Sequence, residues 1–103
     1  MRQFPRDVTK EIAVYHLPTT APQQYPSSPD ETISAGFLPM DARSHALEGG
    51  EYTDPFELYT EPEADIRVAD KLVIEETTYY VMKVFEGTFG GIPHKRASLS
   101  KDT

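Results

Sequence analysis

The chain has 103 residues and a mass of 11.6 kDa, which is enough for one small domain near the lower end of what a single apolar core stabilises alone. Acids outnumber bases 17 to 10, giving a formal charge of -7 and a pI near 4.8. Cysteine is absent, which excludes disulfides, thiolate catalysis and cysteine-bound zinc or iron–sulfur clusters. No apolar run approaches the length of a membrane span, and Met1 to Asp7 lacks the apolar stretch of a secretory signal, so the expectation is a soluble chain made inside a cell, without a membrane partner.

Periodicity favours strands over helices. From Val8 to His16 the even positions Val8, Ile12 and Val14 are apolar and β-branched, but Lys10 interrupts that face; the pattern predicts an edge strand or an N-terminal arm. Residues 17–31 carry Pro18, Pro22, Pro26 and Pro29, which remove ladder donors and forbid a helix, so this segment reads as an extended loop. Tyr25 is its single aromatic residue, and with Pro26 it is a candidate anchor on a partner, the other reading being an idle loop.

Thr32 to Leu38 reads as a second strand built on Ile33 and Phe37, ended or kinked by Pro39. Residues 40–54 form a second long connection, with room for a short helical turn before Gly49-Gly50. Phe56 to Tyr59 alternates as a short strand, and Thr60-Glu61-Pro62-Glu63 has the spacing of a capping box that would start one helical turn.

The clearest element is a hairpin. Lys71 to Glu75 enters a turn around Glu76 and Thr77, and Tyr79 to Phe85 leaves it. Strict alternation places Tyr79, Val81, Lys83 and Phe85 on one face and Tyr80, Met82 and Val84 on the other, so both faces are largely apolar. A sheet with one wet side alternates with polar residues instead. One face can line a core; the other needs cover from the N-terminal strand, a loop or a neighbouring subunit. Residues 87–93 read as a glycine-containing connection whose Gly90 and Gly91 admit positive φ, followed by a last strand from His94 to Leu99. The expected fold is all-β: one small barrel or sandwich over residues 1–103, with long loops and an N-terminal arm.

Charge is polarised along the chain. Arg2, Arg6 and Lys10 near the start and Lys95, Arg96 and Lys101 near the end are basic clusters, and the acidic excess lies between them. Such a centre repels nucleic-acid phosphate, so stable DNA or RNA binding is not expected. The polarity reads either as ordinary solubility charge or as ends and middle that meet between copies or partners.

Catalytic signals are lacking. His16, His45 and His94 occupy no metal-ligand spacing, no serine sits in a G-x-S-x-G elbow, and Gly87-Thr88-Phe89-Gly90-Gly91 lacks the phosphate-loop order. Glu61, Glu63, Asp65 and Asp70 read as turn and capping carboxylates. Neither an enzyme, a metal nor a cofactor is expected.

Asp65-Ile66-Arg67-Val68-Ala69-Asp70-Lys71-Leu72, then Thr78-Tyr79-Tyr80-Val81-Met82-Lys83-Val84, then Gly90-Gly91-Ile92-Pro93-His94 resembles the C-terminal half of head-closure proteins, the stopper or head–tail joining proteins of long-tailed bacteriophages. The resemblance covers about a third of the chain. Two positions depart from it: Ala69 and Glu76 stand where the family pattern has glycine. Alanine or glutamate is strained at positive φ, so those two turns are expected to differ from the family's.

The resemblance implies a β-barrel assembled as a homo-oligomeric ring, commonly a dodecamer, between the portal or adaptor protein and the tail-terminator or tail-tube proteins of a virion. DNA would pass without specific binding. Tyr25, Pro26, Phe37, Tyr79, Tyr80, Met82 and Phe85 are the expected subunit or partner contacts, with Arg2, Phe4 and Arg6 gripping an adjacent acidic surface. Asp65, Asp70, Gly90, Gly91 and His94 shape the turns. The alternatives are a tail-terminator or tail-completion protein, and a small acidic barrel that binds a host protein.

Overall fold

The computed structural model describes residues 9–20, 23–89 and 91–102; Val8, the expected contacts Arg2, Phe4 and Arg6, and the turn residue Gly90 lie outside them. Six antiparallel strands close into a barrel in the order β1-β2-β3-β6-β5-β4. They are β1 (Thr9–Tyr15), β2 (Glu31–Pro39), β3 (Phe56–Thr60), β4 (Lys71–Ile74), β5 (Thr77–Phe89) and β6 (Ile92–Lys101), with one short helix, α1 (Ala42–Leu47), between β2 and β3. The expected all-β barrel is therefore the fold.

Strand β1 corrects the first expectation, because it is neither an edge nor an arm. It pairs with β2 from Thr9↔Gly36 to Val14↔Glu31 and with β4 from Ile12↔Ile74 to Tyr15↔Lys71, and this double pairing closes the barrel and leaves no open edge there. The alternation was legible: Ile12 and Val14 are fully buried. Lys10 stays compatible with the strand because its ammonium lies 3.3 Å from the Glu75 carboxylate. Leu58, Leu72, Ile74, Tyr79, Val81 and Leu99 complete the core with Ala35, Ala97 and Ile66. Each large side chain in it contributes about 1.5–3 kcal/mol on burial.

Two aromatic residues expected at a subunit contact pack within the chain, Tyr79 in this core and the half-buried Phe37 against it. Phe37 stacks on Phe56 at 4.4 Å between centroids, and both rings meet Tyr79 edge-on at 5.3 and 5.5 Å. Tyr79 is 6% exposed, so it is closed to a neighbour. The capping box also fails to form. The Thr60 hydroxyl donates to the Glu61 carbonyl at 2.9 Å and the Ala64 N–H to that same oxygen at 3.1 Å, making a turn where an isolated helical turn has no apolar face to bury.

Strands β5 and β6 run further than expected. Residues 87–89 and 92–93 are ladder, with Gly87↔His94, Thr88↔Pro93 and Phe89↔Ile92 paired, and the reversal is confined to the residues around Gly91, whose φ is 81°. Strand β4 stops pairing with β5 at Tyr80, and β3 stops pairing with β6 at Lys95. Beyond these points the β5–β6 ribbon continues as two strands only.

The expectation that the turns at Ala69 and Glu76 differ from a glycine geometry is overturned. Ala69 has φ 77°, and Glu75 and Glu76 have φ 50° and 68°. Two left-handed residues in a two-residue hairpin match the right-handed twist of β4 and β5, so the turn is kept and the side chains carry the strain. At Ala69 the backbone is fixed from both sides, its N–H donating to the Val81 carbonyl at 2.8 Å and its carbonyl accepting the Tyr25 hydroxyl. Replacing Ala69→Gly relieves a left-handed alanine, and the expected outcome is a gain of about 0.5–1 kcal/mol in chemical denaturation; a loss would show that the alanine methyl makes a stabilising contact.

Candidate functional site

Strand β5 carries a bulge at Met82, since Val81 pairs with Leu99 and Lys83 with Ser98, its immediate neighbour. One extra residue reverses the side-chain alternation beyond it. The strict reading of the two faces is corrected accordingly: Val84 turns inward against the core, whereas Lys83 and Phe85 turn out. Tyr80, Met82, Lys83 and Phe85 therefore share the outer flank, with Met82 40% and Phe85 37% exposed. The Arg96 guanidinium covers part of this flank, 4.3 Å from the Phe85 centroid. Arg96 is itself held by Glu57 at 2.9 Å and Glu48 at 3.6 Å. Strand β3 thus supplies one anchor and the end of α1 the other.

The proline-rich loop lies against its own barrel. Tyr25 donates its hydroxyl to the Ala69 carbonyl, its ring lies 6.1 Å from Tyr80, and the Lys71 ammonium sits 5.3 Å from its centroid and 4.4 Å from that of Tyr15. The ring expected as an anchor on a partner thus makes an intramolecular tether, covering Tyr80 but leaving Met82 and Phe85 open. Pro26 lines an open cleft of about 510 Å³ with His16, Asp30 and Arg67. His94 sits on β6 with its ring 5.8 Å from Tyr59.

A second group assembles where β1 ends, β2 begins and residues 61–70 cross to β4. His16 Nδ1 lies 2.9 Å from Asp70 Oδ2. That oxygen also accepts the Arg67 N–H at 2.8 Å; an ionised carboxylate only accepts, which makes Nδ1 the donor in its pair with Asp70. Asp70 is 1% exposed, and its backbone pairs with Val81 at 3.0 Å. The other ring nitrogen, His16 Nε2, lies 3.5 Å from Asp65 Oδ2 and 3.9 Å from Glu31 Oε2. Asp30 accepts the His16 backbone N–H at 2.8 Å. Arg67 grips both oxygens of Asp65 at 2.9 and 2.7 Å, and these hydrogen bonds hold the Asp65 carboxyl below the usual carboxylate range.

Asp65 and Asp70 were legible as turn carboxylates, but their meeting with His16 and Glu31 was not. The available signal was register: pairing Val14 with Glu31 and Tyr15 with Lys71 brings the residues flanking each strand end together.

No protein-family model matches the chain, and no curated protein matches it. Among solved structures, the phage-like element PBSX protein xkdH of Bacillus subtilis is similar, with a TM-score of 0.60 at 19% identity over 91% of this chain and 94% of that one. Protein SF1141 of Shigella flexneri 2a is similar at a TM-score of 0.60 and 7% identity, over 89% of this chain and 90% of that one. At such identities the likeness is one of fold, and it extends over nearly the whole barrel.

Two outcomes test the surface described here. Tyr25→Phe removes the tether to Ala69, and the expected effect is a loss of about 1 kcal/mol in stability with faster proteolysis of residues 17–30; unchanged cleavage would show that the loop is held by other contacts. Burial, then the hydrogen bond to Glu57, pushes the Tyr59 hydroxyl up to about 12 from 10.0. The folded state keeps this proton after the unfolded chain has released it, so its stabilisation is intact below pH 10 and is lost as pH rises through 12. Ultraviolet titration should show one tyrosine ionising well after the exposed ones, and Tyr59→Phe should remove that late step.

Proposed function

We propose that this chain is a structural neck protein of a tailed phage, forming a homo-oligomeric ring between the portal or adaptor and the tail, without catalysis. The single observation that carries the reading is the match in fold, over nearly the full length of both chains, to a protein of a phage-like element. The resemblance of residues 65–99 to head-closure proteins points the same way and supplies the finer role.

The physical features support assembly rather than turnover. Met82 and Phe85 remain open on a ribbon that extends past its neighbouring strands, and a heterologous contact with the next copy would bury them around a ring. A chain with a formal charge of -7 disfavours adhesion to the phosphate of passing DNA. Residues 16–30 and 61–70 emerge from one end of the barrel, and residues 40–55 from the other, giving each end a reaching element toward an adjoining ring.

The test is genetic and structural. Inactivating the gene in its parent phage should give DNA-filled heads that leak or fail to join tails, with the protein present in wild-type virions by mass spectrometry. Normal particles without it would contradict the proposal. Met82→Asp combined with Phe85→Asp, both exposed, should leave the monomer folded yet reproduce the defect. Cross-linking in virions should reach the portal-side ring; cross-links confined to the tail tube would assign the tail-completion role instead.

A further inference from the structure

We propose that His16, Glu31 and Asp65 bind a divalent transition-metal cation, with Asp70 fixing the histidine from behind. The proposal is independent of the neck reading.

The case begins with the imidazole. Nδ1 faces Asp70 at 2.9 Å, which turns the other ring nitrogen, Nε2, toward two carboxylates; an imidazole whose Nδ1–H is held in this way offers Nε2 as a metal-ligand atom. Asp65 Oδ2 at 3.5 Å and Glu31 Oε2 at 3.9 Å are acceptors, not donors. Each of the three groups thus brings one ligand-type atom to a common point. His16 keeps 14% of its side-chain surface exposed and Asp70 2%, whereas Asp65 keeps 49% and Glu31 38%, so the histidine is held in place while the two carboxylates are reachable from solvent.

The distances suit a metal ion. Bonds of about 2.0–2.1 Å arranged tetrahedrally place neighbouring ligand atoms about 3.3 Å apart. The donor atoms of His16, Glu31 and Asp65 lie within 4.8 Å of one another, and Glu31, 38% exposed in its side chain, can close the remaining gap by rotation. Histidine and carboxylate together select zinc-like ions over calcium or magnesium, which prefer all-oxygen shells. A carboxylate on the far nitrogen of a ligating histidine is the usual outer partner of such sites, fixing tautomer and ring orientation. Asp70 occupies that position on a carboxylate pinned by the Arg67 N–H. Arg67 itself, 55% exposed in its side chain, would yield Asp65 Oδ2 to the ion while keeping Oδ1. The cleft beside His16 leaves a fourth position for water.

In the sequence the ligands are 15 and 34 residues apart, which no short motif captures. Bound there, the ion would tie the end of β1, the start of β2 and the 61–70 crossing into one unit.

The experiment uses the untagged full-length chain, treated with chelator and titrated with Zn²⁺ at pH 7.5 by calorimetry, with imidazole nitrogen shifts read by NMR. The expected result is one Zn²⁺ per chain, ligation at His16 Nε2, and a Zn²⁺-dependent rise in melting temperature. Glu31→Gln, at an exposed position, should weaken binding at least tenfold while the chain stays folded. Asp70→Asn should weaken it about 10- to 100-fold. Absence of Zn²⁺ uptake, unchanged affinity in Glu31→Gln, or ligation at His45 or His94 would each overturn the proposal.

Discussion

The extra residue at Met82 in β5 decides what this barrel buries and what it shows. Up to Val81 the strand obeys a simple alternation and feeds Tyr79 and Val81 into the core. One slipped ladder position then exchanges the faces, so that Val84 takes the inner place and Phe85 the outer. A strand without the slip would turn Lys83 and Phe85 toward the core side and present Val84 outside. The bulge thus resolves the conflict of a strand that is apolar on both sides, at the cost of leaving Met82 and Phe85 partly in water. Bulges also increase local twist, and this one precedes the stretch where the β5–β6 ribbon runs on without β3 or β4.

A second organising contact is the Asp70 carboxylate. It receives the Arg67 N–H, orients His16 and lies where the backbone of residues 69–70 joins Val81. Through it the loop after β3, the end of β1 and the middle of β5 share one buried polar centre. The left-handed Ala69 beside it also accepts the Tyr25 hydroxyl. One short turn therefore fastens both the proline-rich loop and the histidine cluster.

Much of this was legible in the sequence because period-2 patterning reports burial directly. Ile12 and Val14 fell where alternation placed them, and Pro39 and Gly49-Gly50 marked boundaries that the chain respects. What escaped had identifiable causes. Lys10 looked like the mark of an edge because a cross-barrel partner, Glu75, is invisible to local pattern. Residues 87–89 read as a bend because glycine was given its usual meaning, while a ribbon tolerates Gly87 opposite His94. The bulge is silent in sequence, since a run of apolar residues fits either phase. Phe37 and Tyr79 looked available to a partner because local pattern does not show that they meet Phe56 and each other within one chain. The histidine cluster depended on which strand ends meet, and that is fixed only when β1 closes against both β2 and β4.

In the proposed ring, the outer flank of the ribbon is covered by another copy of the chain. Cryo-electron microscopy, at side-chain resolution, of the phage particle proposed to contain the chain tests this directly. The proposed ring requires Met82 and Phe85 packed against the adjoining protomer at every position. Side chains that stay bathed in solvent in a fully assembled neck, with the subunit interface elsewhere, would contradict it.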